Sequence, residues 1–282
     1  MSSVISNNVN SPKNTRTVLL NTGTAELKRE EIRTYLHQTF ELEEQLYDVF
    51  KSDDAFYLRP ESLRHPLVFY FGHTSTFFIN KLTLASLIKQ RVNPRFESIF
   101  AVGVDEMSWD DLNESNYDWP SIDEVRDYRK TVLELIDGLI SSTPLDLPIT
   151  WESPFWPILM GIEHQRIHIE TSSAIIRQMP LEHLQPHATW NVCPHVGEAP
   201  NNHLLTVEKG LVTLGKNKNH ATYGWDNEYG ERSAEVEPFS ASKYLVSNGE
   251  FLSFIKDNGY HQKKYWTDEG WKWVQYKKPE HP

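Results

Sequence analysis

The chain has 282 residues, a net charge of −11 and a single cysteine, Cys193. Its hydrophobic and charged fractions, 39% and 24%, are those of an ordinary globular protein, and its length allows two domains. The acidic balance argues against a nucleic-acid-binding surface, which is typically basic. No stretch is long and apolar enough to span a membrane, and the amino terminus lacks a signal-peptide pattern. These features predict a cytoplasmic protein that binds neither nucleic acid nor membrane.

Four segments within residues 23–180 show helical periodicity, which predicts an antiparallel four-helix bundle. The first, 28–50, is amphipathic, and its charges are expected on the outer face. The second, 66–88, is apolar nearly all round, which indicates a central helix. A capping box at Ser121–Glu124 begins the third. The fourth runs from about Pro154 to Met179.

Two segments of the helical region lack this periodicity. Residues 1–22 are rich in Asn and Ser and are expected to form a flexible tail. Residues 91–120 form an acidic, tryptophan-containing connection between the second and third helices. A connection of this length in a compact domain is typical of a functional or lid-like segment.

The pattern changes after residue 180. Residues 181–203 are proline-rich and non-periodic, which predicts a linker. Residues 204–282 contain short alternating runs with turn signals, including YGWDNEYGE (223–231), and predict strands, hairpins and one short helix near Ser247–Asp257. Because about 80 residues offer few partners for the predicted sheet edges, this second domain is expected to be incomplete and the chain truncated.

Three histidines are candidates for a metal site. His164 and His168 lie four residues apart in GIEHQRIHIETSS (161–173) and therefore share a helix face. Gly161, one turn earlier, is expected to leave open space beside them. His73 lies in FYFGHTSTFF, an apolar stretch of the second helix. Three inward imidazoles on two neighbouring helices favour metal ligation over separately hydrogen-bonded core histidines.

Two further residues are weaker candidates. His65 lies at a predicted helix start and is expected near solvent. Glu170 lies about 200° around the helix from His168, so we expect it to pair with Arg166 or to act outside the ligand set. Three imidazoles leave coordination positions open and suit zinc, copper or non-haem iron(II). Zinc would imply water activation, and iron would imply dioxygen chemistry.

The segments RHPLVFYFGHTSTFFINKL (64–82), FESIFAVGVDEMSWDDL (96–112) and GIEHQRIHIETSS closely resemble the amino-terminal region of ovothiol biosynthesis sulfoxide synthases (5-histidylcysteine sulfoxide synthases). These are relatives of the ergothioneine-pathway sulfoxide synthases. The family joins a DinB-like four-helix bundle to a formylglycine-generating-enzyme-like, C-type-lectin-like domain. The resemblance therefore implies an α+β fold, with the bundle over 23–180 and the opening of the second domain over 204–282.

The resemblance also implies a site and a reaction. His73, His164 and His168 correspond to the family's iron(II) ligands, and Glu170 is a motif residue without an assigned role. Dioxygen would be the co-substrate for joining the sulfur of cysteine to the imidazole C5 of histidine, giving a sulfoxide.

Family members continue through the rest of the second domain, which contributes substrate-binding residues and a catalytic tyrosine. Histidine and cysteine are the implied substrates, and a separate chain could complete the second domain here. Three alternatives stay open: an ergothioneine-type synthase that uses trimethylhistidine, a metal-binding DinB-like thiol transferase, and an inactive fragment.

Overall fold

A computed structural model describes residues 16–102, 117–190 and 197–281. Of these, residues 16–190 and 217–229 belong to one compact unit, and the others form a second unit. The first unit is helical and the second contains strands and short helices, consistent with an α+β class. Within the described ranges, no helix is long and apolar enough to cross a membrane.

Four long helices build the first unit, and their positions confirm the four helices predicted from the hydrophobic periodicity. Their bounds are α1 Ala25–Tyr47, α2 Leu67–Leu84, α4 Ile122–Ser142 and α5 Trp156–Ile176, with a short helix α3 Pro94–Ile99 inside the connection after α2. The predicted capping box of α4 is present: the backbone N–H of Ser121 donates to Glu124 Oε2 over 2.9 Å, and the backbone N–H of Glu124 donates to Ser121 Oγ over 3.3 Å. Both bonds satisfy N–H groups that a helix start leaves without a partner.

Cross-helix hydrogen bonds give the directions of the helices. The pairs that show this are Tyr35–Glu163 and Tyr47–Ser172 between α1 and α5, and Arg33–Asp137 and Glu44–Arg129 between α1 and α4. Residue numbers rise together in the first two pairs and oppositely in the last two, so α1 is parallel to α5 and antiparallel to α4. The predicted antiparallel arrangement is therefore wrong for α1 and α5. Short loops impose antiparallel neighbours, whereas the long connection between α2 and α4 does not.

The core of this unit is mostly apolar, but not all charges lie outside it. Thirteen of the 18 residues of α2 are buried, as expected for a central helix. On α1, however, Lys28 and Glu43 are 1% and 0% exposed, which contradicts the predicted outer face for charges. Each has a charged partner: Lys28 pairs with Glu31, and Glu43 pairs with Arg129. Buried charges are tolerated when they are paired in this way.

The amino-terminal segment and the connection are described in part. Val18 and Leu20 are buried, and the backbone N–H of Leu20 donates to the carbonyl of Ala221 over 2.7 Å, so the described end of the predicted tail is packed within the first unit. Residues 1–15, residues 103–116 of the predicted lid-like connection and Cys193 lie outside the described residues.

The second unit contains two pairs of antiparallel strands, which follow one another along a single ribbon, and two short helices. The elements are β1 Leu204–Val207, β2 Gly210–Leu214, β3 Arg232–Val236, β4 Phe239–Ser242, α6 Asn248–Lys256 and α7 Asp268–Lys277. β1 pairs with β4 and β2 with β3 in one continuing register, from Leu204 opposite Ser242 to Leu214 opposite Arg232. The ladder is interrupted next to Pro238, which has no backbone N–H to donate.

The predicted strand in YGWDNEYGE is wrong. Residues Asp226–Glu228 form a 3-10 turn, and Tyr223–Tyr229 belong to the first unit. The turn is closed by the backbone N–H of Trp225, which donates to Glu228 Oε2 over 2.6 Å. The Asp-Asn pair favours such a turn because its side chains compete for nearby backbone groups.

Candidate metal centre

Three imidazoles meet between α2 and α5. The Nε2 atom of His164 lies 3.3 Å from Nε2 of His73 and 3.1 Å from Nε2 of His168. One ligand atom from each of the three lies within 4.8 Å of the other two. The structure thus brings together the three histidines that the sequence singled out, two on α5 and one on α2.

Two glycines allow the close packing around these histidines. A Cβ added at Gly161 would lie 2.1 Å from Cε1 of Phe78, so the space that was expected to be open is filled by this ring of α2. A Cβ at Gly72 would lie 2.5 Å from the ring of Phe100. Because glycine has no Cβ, an aromatic ring can lie directly against the helix at both positions. One close approach precedes His73 and the other lies one turn before His164.

The orientation of two rings is fixed by their neighbours. His73 Nδ1 donates to the backbone carbonyl of Phe100 over 2.6 Å. Since a neutral imidazole carries one N–H, this bond leaves Nε2 of His73 as the unprotonated nitrogen. The ring of Phe77 stacks on His164 with centroids 3.6 Å apart and planes 8° apart. Both contacts keep the Nε2 atoms directed at the common centre.

Burial keeps the imidazoles on α5 neutral. His164 is 9% exposed, and burial, together with the nearby His168 and His73, holds its pKa well below the usual value. Burial also lowers the pKa of His168 to about 3, and His73 and Arg64 act in the same direction. An unprotonated imidazole is the form that coordinates a metal.

The donor set fits a divalent first-row metal. Two nitrogens bound at about 2.1 Å and roughly 90° apart are about 3.0 Å from each other, close to the 3.1 and 3.3 Å observed. Within the described part of the chain, the buried Nδ1 atoms of His164 and His168 have no hydrogen-bond partner. With its single proton on Nδ1, each of these two rings turns an unprotonated Nε2 towards the common centre, where a cation would accept the three converging lone pairs. Three protein ligands also leave coordination positions open for substrates.

The weaker candidates lie outside this group. Glu170 is exposed on α5 and does not join the three histidines. The expected ion pair between Glu170 and Arg166 is wrong, because Arg166 reaches α1 and donates to Thr39 Oγ1 over 3.2 Å. His65 is 5% exposed rather than near solvent, since it packs against the ring of Phe69 with centroids 4.3 Å apart.

Sequence reasoning missed the polar residues that follow two of the histidines. Thr74 follows His73 and Gln165 follows His164, and both are fully buried. Both donate hydrogen bonds to Glu43 of α1. The sequence did contain a signal for these two buried residues: each is a polar residue directly after a histidine that was predicted to face inward.

Comparison of the sequence with known proteins finds a matching family model and several similar proteins. Residues 192–282 match the family model described as a sulfatase-modifying factor enzyme 1-like domain. The chain is 25% identical over 213 residues to ergothioneine biosynthesis protein 1 of Neurospora crassa, covering 70% of this chain and 24% of the relative. It is 26% identical over 238 residues to ergothioneine biosynthesis protein 1 of Schizosaccharomyces pombe, covering 72% and 30%.

A shorter match has a higher sequence identity. The chain is 36% identical over 58 residues to hercynine oxygenase of Mycolicibacterium thermoresistibile, covering 21% of this chain and 13% of that protein. The chain spans about a quarter to a third of the length of the two fungal relatives. It is thus similar to ergothioneine biosynthesis proteins over most of its residues and carries a sulfatase-modifying factor-like segment at its carboxyl end.

Proposed function

We propose that the chain is the iron(II)-binding part of a dioxygen-dependent sulfoxide synthase that joins the sulfur of cysteine to the imidazole C5 of histidine. The observation that carries this proposal is the convergence of one nitrogen each from His73, His164 and His168 within 4.8 Å. The similarity to hercynine oxygenase and to the fungal ergothioneine biosynthesis proteins supports an oxygenase acting on a histidine derivative. The four packed long helices would correspond to the DinB-like bundle of such synthases.

The residues of the chain would hold and shield the metal. His73, His164 and His168 would supply three neutral nitrogens, and the carbonyl of Phe100 would keep His73 in the tautomer that binds through Nε2. Stacking by Phe77 would hold the ring of His164 and exclude water from one side of it. When bound, iron(II) would supply the redox chemistry that activates dioxygen. A reducing cytoplasm would keep both the iron and the thiol substrate reduced.

An aerobic assay with iron(II), histidine and cysteine tests the reaction, using the chain together with the polypeptide that completes its second unit. We expect oxygen uptake and a product with the mass of the histidine–cysteine sulfoxide from this combination. The matched control is His168→Ala, which removes one ligand at the partly buried end of the site. Equal oxygen uptake by the two proteins would contradict the proposal, as would catalysis with zinc in place of iron, which the thiol-transferase alternative predicts.

A second candidate uses trimethylhistidine (hercynine) as the acceptor. The printed names of the relatives, ergothioneine biosynthesis protein 1 and hercynine oxygenase, favour this substrate. The histidine alternative rests on the ovothiol-branch resemblance of the segments FYFGHT (69–74) and AVGVDEMSWDDL (101–112). A competition assay with equimolar histidine and hercynine, read by product mass, distinguishes the two.

A further polypeptide is proposed to complete the second unit. Leu204, Leu211 and Leu214 on the ribbon are 66%, 70% and 63% exposed, and a two-stranded ribbon alone is marginally stable. Exposed apolar strands of this kind are usually covered by a partner. Amide hydrogen exchange should be fast in β1 to β4 of the purified chain and slow once a covering chain is bound. Slow exchange in the chain alone would contradict this proposal.

A further inference from the structure

A buried polar network joins the four long helices beside the three histidines. Each helix contributes one residue that is at most 1% exposed: Glu43 of α1, Thr74 of α2, Arg129 of α4 and Gln165 of α5. A single atom, Glu43 Oε2, accepts hydrogen bonds from Arg129 Nη2 at 2.9 Å, from Gln165 Nε2 at 2.7 Å and from Thr74 Oγ1 at 3.1 Å. These four residues are called the Glu43 network below.

Arg129 binds α2 on both sides of His73. Its Nη1 donates to the backbone carbonyl of Phe71 over 2.6 Å and to Thr74 Oγ1 over 2.9 Å. The guanidinium also lies 4.1 Å from the centroid of the Phe71 ring. Contacts with the residues two before and one after His73 leave little freedom for this turn of α2 to rotate.

The network and the histidines join α2 to α5 at the same level. Consecutive residues on a helix point about 100° apart, so Thr74 and Gln165 face Glu43 while His73 and His164 face each other. The two helices are therefore linked through the Nε2 atoms, 3.3 Å apart, and through Glu43 Oε2. A rotation of α5 that displaced the imidazole of His164 would also break the bond from Gln165 to Glu43.

Stability alone does not account for such a network. A buried ion pair replaced by well-packed apolar residues often leaves a protein equally or more stable. Directional bonds do provide a single rotational setting of the helices, which apolar packing alone specifies less well. The setting matters most where two helices must present ligands to one ion.

We propose that the Glu43 network positions the metal centre by fixing the rotation of α2 and α5, so that His73 and His164 present their Nε2 atoms to the same ion. Glu43, Thr74 and Gln165 are positioning residues in this arrangement and do not contact the metal. This inference rests on the proposed metal-binding function.

Metal affinity and coordination geometry test the proposal. The variants are Thr74→Val and Gln165→Met, which remove one donor each and keep similar volume. Thr74→Ser keeps the hydroxyl and serves as the rescue variant. Tyr128→Phe is the matched control, because it removes the buried hydrogen bond between the hydroxyls of Tyr128 on α4 and Thr76 on α2 without touching Glu43. Cobalt(II) is the probe, with affinity from competition against a chelator and geometry from visible absorption.

We expect Thr74→Val and Gln165→Met to weaken cobalt(II) binding by about tenfold or more, the scale seen when groups supporting metal ligands are removed, and to shift the absorption bands. Thr74→Ser and Tyr128→Phe should keep the wild-type affinity and spectrum. Circular dichroism below the unfolding midpoint shows that each protein compared is folded. Thr74→Val and Gln165→Met each test the network independently. One of them is therefore sufficient for the test, provided that it is folded.

The inference is overturned if the wild-type chain binds cobalt(II) and the folded removal variants bind it with the same affinity and spectrum, even when they unfold at lower temperature. That result would leave the network with a purely structural role. Failure of the wild-type chain to bind any divalent metal would instead overturn the proposed function, and this inference with it.

Discussion

Replacing Gly161 with alanine should disturb the metal centre through packing, without removing a ligand. A Cβ at this position would lie 2.1 Å from Cε1 and 2.2 Å from Cδ1 of Phe78, a side chain that is 0% exposed. An ordinary contact starts near 3.4 Å, so the ring or the helix would have to move by about 1.3 Å. Phe78 lies in the close contact between α2 and α5, and any such movement changes the spacing of His73 and His164.

The expected cost combines two opposing effects. Overpacking a core costs about 1–3 kcal/mol, and three ring atoms closer than 3.0 Å place this site near the upper end. Alanine favours the helix over glycine by about 1 kcal/mol, which leaves a net loss of about 2 kcal/mol. At roughly 2–4 °C per kcal/mol, the Tm should fall by about 4–8 °C. Metal–ligand distances tolerate only about ±0.2 Å, so metal affinity should fall as well.

The matched control is Gly138→Ala on α4, where an added Cβ meets nothing within 4 Å. This exposed substitution should stabilise the protein by about 0.5–1 kcal/mol and leave metal binding unchanged. Thermal unfolding by circular dichroism and cobalt(II) competition measure both effects in both variants. A Gly161→Ala protein that is stabilised like Gly138→Ala and binds metal normally would refute the reasoning.

Three further predictions concern protonation, capping and packing. The metal-free protein should lose stability as the pH falls from about 6.5 towards 3, because burial lowers the folded-state pKa of His168 to about 3 and the unfolded chain takes up that proton first. Urea titrations from pH 7 to pH 4 should show that the free energy of unfolding falls less steeply with pH in His168→Leu than in the wild-type protein, by at most about 1.4 kcal/mol per pH unit. Equal slopes in the two proteins would contradict the lowered pKa of His168. Ser121→Ala removes the capping box of α4 and should cost about 1 kcal/mol in urea unfolding with no change in metal affinity; an altered affinity would contradict a local effect. Gly72→Ala would place a Cβ 2.5 Å from the ring of Phe100, whose carbonyl orients His73, and should weaken cobalt(II) binding; wild-type affinity would show that the carbonyl is not displaced.

Helix positions and the meeting of the histidines could be predicted because both follow from local periodicity. For α2, apolar residues on every face indicated a central helix, and burial of most of its side chains agrees. The four-residue spacing of His164 and His168 fixes a common face in any α-helix. His73 needed only the assumption that the two helices are neighbours.

Features that depend on complementarity between helices could not be predicted. Glu43 looked like an outer-face charge, because nothing near it in sequence reveals that Arg129, 86 positions later, pairs with it. Likewise, Gly161 indicated empty space, whereas the ring that fills the space comes from Phe78 on another helix. The parallel direction of α1 and α5 depends on the path of the long connection, which periodicity does not encode.

Anaerobic titration of the purified chain with iron(II) tests the central claim most directly. The account predicts about one tightly bound iron(II) per chain, lost in His168→Ala and retained in His37→Ala, whose imidazole lies exposed on α1 and outside the three-histidine group. Absence of stoichiometric iron(II) in the folded wild-type chain, or equal binding by the His168→Ala protein, would contradict it.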